Sequence, residues 1–133
     1  MNETDSELFN DSLERCSAQP DFLGRFYRLF IASSDVVAKK FEHTDLKKQA
    51  RMLRTSLYIM IEGSGEPGRE TQLERLARRH SRGDLDIKPE LYDLWLEKLL
   101  QAVGETDPQF DAPTEAAWRR MLQPGIDIMK SGY

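Results

Sequence analysis

The chain has little of what a disulfide-bonded or membrane-spanning protein needs. Cys16 is the only cysteine in 133 residues, so no intrachain disulfide can form and no cysteine cluster can hold a metal. The segment 1–11 is acidic and lacks the apolar core of a signal peptide. The longest apolar runs, such as 57–61, are far too short to cross a bilayer. We therefore expect a cytoplasmic protein with no membrane partner.

An excess of positive charge is also absent. The formal net charge of -4 and the pI of about 5.2 give no electrostatic reason to expect a nucleic acid as partner. Arginines cluster locally at 75–82, but acidic residues such as Glu74 and Asp84 lie among them, which is typical of a solvated helix face. With 39% hydrophobic and 32% charged residues, the composition indicates a globular protein, and the length favours one domain over 1–133.

Strand-like alternation of apolar and polar residues is nearly absent, whereas apolar residues recur at helical spacing through most of the chain. Loops rich in glycine or proline are predicted at 63–68 and 104–115, and Pro124-Gly125 predicts a kink or break in the last helix. We predict an all-α fold of six or seven helices. They cover about 4–16, Pro20 to Ser33, a short helix capped by Ser34 or Asp35, a helix from Thr44 or Asp45, 69–81, 88–103, and one from Pro113.

His80, one of two histidines, lies on the apolar side of its predicted helix, seven residues after Leu73 and four after Leu76. A histidine in such a place is most often a hydrogen-bonded core or boundary residue. The functional alternative is metal binding. Zinc takes three or four protein ligands, and only His43 and Cys16 could assist. Haem needs a single imidazole, because the porphyrin supplies the in-plane nitrogens.

Two polar residues stand out on otherwise apolar helix faces. Gln49 lies on the apolar side of the fourth predicted helix, and Tyr27 follows Phe26 on the second. A glutamine in such a place is often a partly exposed edge residue, and the tyrosine is often a core residue with its hydroxyl at the surface. A haem pocket would instead use them as polar donors on the side of the iron away from the histidine.

Two longer segments carry a family resemblance. They read FYRLFIASSDVVAKKFEHTDLKKQARML at 26–53 and LARRHSRGDLDIKPELYDLW at 76–95. Together they resemble the haem domain of bacterial flavohaemoglobins and of related single-domain bacterial haemoglobins. The resemblance runs in order through nearly the whole chain. It implies a globin-like fold of helices around one haem b, with its iron.

The resemblance also implies roles for individual residues. His80 precedes I-K-P-E-L-Y and matches the proximal histidine that binds the iron, and Tyr92 matches a tyrosine on the same side. Tyr27 and Gln49 match the distal residues that contact a bound gas, and we expect His80 to donate its other N–H to the Leu76 carbonyl. The expected wall of the haem pocket is Phe41, Leu53, Leu76, Ile87, Trp95 and Leu99.

Departures from the flavohaemoglobin pattern bear on activity. Ser34 and Asp35 stand where that pattern has a proline, and the segment between Phe41 and Gln49 is shorter. No glutamate follows Trp118, whereas flavohaemoglobins place one in the last helix in a triad with the proximal histidine and tyrosine. The sequence also contains no flavin or nicotinamide domain. These departures argue against a self-contained NO dioxygenase.

The expected function is therefore a haem-binding globin that reversibly binds O2, or alternatively NO or CO, as an oxygen-binding or gas-sensing protein. A second possibility is an NO dioxygenase or peroxidase-like enzyme that works with a separate reductase. A third is a haem-free interaction protein with the globin fold. For the haem propionates, the sequence offers three basic candidates without choosing among them, namely Arg79, Lys48 and Lys88.

Overall fold

The computed structural model describes residues 4–62 and 71–133, except for the side chain of Glu62. Within these ranges the chain forms seven helices and no strand, so the all-α prediction is confirmed. The loop predicted at 63–68 lies outside the described residues. The helices are α1 (Asp5–Ser17), α2 (Phe22–Ala32), α3 (Asp35–Phe41), α4 (Leu46–Glu62), α5 (Gln72–Arg79), α6 (Glu90–Thr106) and α7 (Ala112–Ser131).

Short polar side chains determine where several helices begin. Thr4, Ser34 and Asp111 each accept a hydrogen bond from the backbone N–H three residues further on. Thr71 and Glu74 form a reciprocal capping box at the start of α5, with hydrogen bonds of 3.0 and 3.2 Å. Each cap satisfies backbone donors that the first helical turn leaves free. The caps thereby place α3 and α5, the two short helices beside the site.

The last helix, α7, is continuous through Pro124 and Gly125, so of the predicted kink or break the structure excludes the break. Gly125 is buried against Met60 of α4, and a Cβ there would lie 2.9 Å from Met60 Cβ and 3.0 Å from its backbone oxygen. Only a residue without a side chain permits this close approach. Burial of Ile126 and Met129 beyond the proline holds the second half of α7 in the core.

A buried polar network joins α1 to the turn after α6. The Asp107 carboxylate accepts hydrogen bonds from Ser12 Oγ at 2.6 Å and from two nitrogens of Arg15 at 2.6 and 3.0 Å. Trp118 Nε1 completes the network by donating to Ser12 Oγ at 3.0 Å. Burial alone would raise the pKa of Asp107, but the hydrogen bonds from Arg15 and Ser12 outweigh it, so the pKa is lowered. This network belongs to the scaffold and lies apart from the cavity described next.

Candidate functional site

A cavity of about 160 Å³ opens between α2, α3, α4, the C-terminal end of α5 and α6, with one residue of α7 on its wall. Its wall is mainly apolar. All but one of the residues predicted as site residues line it: Tyr27, Phe41, Gln49, Leu53, Leu76, His80, Ile87 and Trp95. The exception is Leu99, which is 0% exposed in the core and does not line the cavity.

His80 ends α5 as its C-cap residue, and the predicted hydrogen bond to Leu76 is present. The ring Nδ1 lies 2.8 Å from the carbonyl oxygen of Leu76. A carbonyl oxygen only accepts, so Nδ1 carries the hydrogen in this contact and Nε2 keeps its lone pair. Burial lowers the pKa of His80 below its ordinary value, with the Leu76 hydrogen bond opposing it. The side chain is therefore a neutral, oriented imidazole with one nitrogen available to a metal.

Tyr27 and Gln49 approach each other on α2 and α4. Tyr27 is 3% exposed, and its hydroxyl donates to the backbone carbonyl of Gln49 over a long 3.4 Å. Burial raises the pKa of Tyr27 to about 12, so the hydroxyl is a neutral donor at physiological pH. The Gln49 side chain is half-buried and lines the same cavity. A weakly held hydroxyl and an amide thus both border this space.

Aromatic contacts hold the ring of Tyr27 in place. Its centroid lies 5.6 Å from that of Phe41 and 4.9 Å from that of Phe26, both in edge-on geometry. Phe30 packs on Phe26 at 5.4 Å and meets Phe41 at 6.2 Å, while Trp95 meets Phe26 at 6.1 Å. Such contacts restrict side-chain motion in addition to burying area. The Tyr27 hydroxyl is therefore presented by a packed aromatic cluster.

Tyr92 presents a hydroxyl that the described residues leave unsatisfied. The side chain is buried and lines the cavity, yet its hydroxyl oxygen has no hydrogen-bond partner within 4–62 and 71–133. Burial raises its pKa to about 12, which leaves a neutral donor. A buried hydroxyl without a partner costs about 1–3 kcal/mol unless a ligand or water supplies one. Tyr92 thus adds a neutral, buried hydroxyl to the packing around the cavity.

Several wall residues were missed at the level of sequence. Ser56 and Met60 follow Gln49 at helical spacing on α4, and this periodicity was a usable signal. Lys40 precedes Phe41 but was not among the basic candidates, and Met129 of α7 had no local signal at all. The rest of the missed wall consists of Phe30, Val37, Met52 and Leu91, whereas Tyr92, which the resemblance had placed on the side of His80, also lines the cavity.

The remaining polar candidates lie elsewhere. His43, a conceivable second ligand, is 92% exposed and 3.6 Å from Glu42. Arg79, Lys48 and Lys88 are exposed and do not line the cavity. Within the described ranges no group of three or more His, Cys, Asp and Glu side chains is placed to hold a metal ion. His80 is thus the imidazole that this cavity offers.

Comparisons with known proteins agree with this architecture. The globin family model matches residues 25–127, and the chain therefore belongs to the globin family. A solved structure from Pseudomonas aeruginosa PAO1, described as structurally highly homologous to a human hemoglobin, matches with a TM-score of 0.88. It is 41% identical in sequence, and the match covers 98% of each chain. No curated protein matches. The resemblance to a bacterial globin and the predicted globin-like fold are confirmed.

None of the helices within 4–62 and 71–133 combines the length and apolar character that crossing a bilayer demands.

Proposed function

We propose that the chain binds haem b in this cavity, with His80 Nε2 as the one protein ligand to the iron, and that it reversibly binds a diatomic gas. O2 is the first candidate, with NO and CO as alternatives. The observation that carries the proposal is the state of His80. Its Nδ1 is engaged by the Leu76 carbonyl, and His80 lies at the wall of an apolar cavity with no hydrogen bond to its Nε2 from residues 4–62 and 71–133.

The residues present fit this cofactor. When bound, haem supplies an iron with a coordination position open to a gas. The aromatic side chains of Phe41 and Trp95 offer flat apolar surface to a porphyrin. Tyr27 and Gln49 offer neutral donors, which suit a gas that becomes partly negative when bound.

Oxygen binding or gas sensing is the role that these donors support best. The competing role is an NO dioxygenase or peroxidase-like enzyme supplied with electrons by a separate reductase. Repeated turnover of the oxygenated protein with NO and a generic reductase would favour the enzyme, whereas a single turnover would favour the binding protein. We also propose that one globin domain spans 1–133 and that the protein is cytoplasmic. The first of these is supported by the 98% coverage of the Pseudomonas structure.

The test of haem binding is titration of purified protein with haem, followed by its Soret band. We expect one haem per chain and a ferrous CO complex typical of histidine ligation. His80→Ala should bind haem weakly, and added imidazole should partly restore the spectrum. His43→Ala is the matched control and should behave as wild type, because His43 is exposed. Wild type without a Soret band, or His80→Ala with an unchanged ferrous CO spectrum, would show the proposal to be wrong.

A further inference from the structure

The wall of the cavity carries a single charged side chain among the described residues, that of Lys40. Lys40 lies in the last turn of α3, directly before Phe41. Lys40 and Met52 are the exposed residues of the described wall, so both lie where the cavity meets water. Met52 is uncharged. The positive charge at the rim therefore comes from Lys40.

The ammonium group of Lys40 is only partly engaged. Its Nζ donates to the backbone carbonyl of Leu85 at 3.3 Å, across from α3 to the segment between His80 and Ile87. An ammonium has three donors, and a neutral carbonyl uses one of them. No carboxylate within 4–62 and 71–133 forms an ion pair with Lys40. Its charge and two of its donors are thus free to meet an anion.

An amphiphilic cofactor in this cavity should place its charged groups at the rim. Its apolar surface is covered by the inner wall, and its carboxylates need water or a cation because burying an unpaired charge is costly. The rim at Lys40 offers both, whereas the basic residues favoured from sequence do not border the cavity. We propose that Lys40 binds a carboxylate of the cofactor and thereby sets which edge of it faces solvent. This assignment rests on the proposed haem binding.

The Leu85 contact also connects Lys40 to the backbone near His80. Ile87 N–H donates to the His80 carbonyl at 2.9 Å, and Leu85 N–H donates to the Arg79 carbonyl at 3.1 Å, so the segment after His80 is tied closely to the end of α5. Lys40 joins this segment to α3. A cofactor carboxylate held by Lys40 would therefore be linked through one side chain to the backbone around the proposed iron ligand.

The test is the rate of haem loss to an excess of apomyoglobin, measured for Lys40→Gln and for Lys39→Gln. Lys39 is the matched control, since it is the adjacent exposed lysine on α3 and does not line the cavity. Lys40→Gln should lose haem about two- to fivefold faster, the range that corresponds to a partly exposed ion pair. Lys39→Gln should match wild type, and Lys40→Arg should largely retain the slow rate.

Haem dimethyl ester, whose carboxylates are neutral, isolates the charge interaction. With the ester, Lys40→Gln and wild type should lose the cofactor at equal rates. Faster loss of the ester from Lys40→Gln would mean that the lysine stem acts by packing, and the proposal would be overturned. It would also be overturned if Lys48→Gln or Lys88→Gln accelerated the loss of haem and Lys40→Gln did not. A wild type that takes up neither cofactor would contradict the proposed function itself, and this assignment with it.

Discussion

The hydroxyl of Tyr27 on α2 and the backbone carbonyl of Gln49 on α4 face each other across 3.4 Å. This separation is at the long end for an O–H donor, so the contact contributes little. A bound gas with partial negative charge can therefore compete for the same hydroxyl. Tyr27 is thus a donor that burial keeps neutral and that is only lightly engaged, as the proposed gas binding requires.

Replacement of Tyr27 by Phe should speed O2 release. A hydrogen bond to a charged acceptor contributes about 1.5–3 kcal/mol, which corresponds to roughly ten- to a hundredfold in the O2 dissociation rate. CO affinity should change much less, because bound CO carries little charge. Gln49→Leu should act in the same direction, and the double variant should be non-additive if both donors contact one ligand. Stopped-flow displacement of O2 by CO measures these rates. Changes below about twofold in both single variants would exclude the two residues as distal donors.

Acid should release haem only below the ordinary pKa of histidine. Protons and iron compete for His80 Nε2, and burial lowers the pKa of His80 below its usual 6.5. A lowered pKa means that protonation starts at a lower pH. The midpoint of the decline in the Soret band should therefore lie below pH 6.5. A midpoint at or above 6.5 would contradict both the protection by burial and the binding of iron by His80.

Phe41→Ala should weaken haem retention more than it weakens the fold. Truncating a buried phenylalanine costs about 3–5 kcal/mol, and Phe41 is only partly buried, so the cost to the haem-free chain should lie below that range. A porphyrin packed on the ring would add to the loss. Phe110→Ala is the matched control, a partly buried phenylalanine outside the cavity. Haem-transfer rates and thermal unfolding should separate the two variants. Equal haem loss from both would make Phe41 an ordinary core residue.

Gly125→Ala should destabilise the protein and disturb the cavity wall. The added methyl group would lie 2.9 Å from Met60 Cβ, and overpacking of this kind costs about 1–3 kcal/mol. Met60 lines the cavity, so a shift of α4 against α7 should also change the Soret spectrum. Gly83→Ala provides the control, because a Cβ at Gly83 meets nothing within 4 Å. Urea unfolding of the two variants measures the difference, and equal midpoints would contradict the packing argument.

Much of the architecture could be predicted because it depends on local interactions. The N-cap at Ser34 was among the two predicted, and a cap is made within a single helical turn. The same holds for His80, whose orientation follows from helical spacing and whose Nδ1 contact is with the carbonyl one turn earlier. Interactions between residues three or four apart depend only on the local sequence. That locality is why both the helices and the oriented imidazole were predicted correctly.

Tertiary packing decided what helical spacing leaves open. Spacing places Leu99 on an inner face, but it does not distinguish the core from the cavity wall, and the structure puts Leu99 in the core. Lys40 borders the cavity only because α3 packs on α2 and the Lys40 side chain reaches the segment after His80. From local interactions alone, a proline at position 124 is expected to end the helix. Helix α7 nevertheless continues, because burial of residues such as Met129 outweighs one lost hydrogen bond. The sequence by itself determined the helices and the imidazole, whereas contacts between helices distant along the chain determined the cavity and the Lys40 charge at its rim.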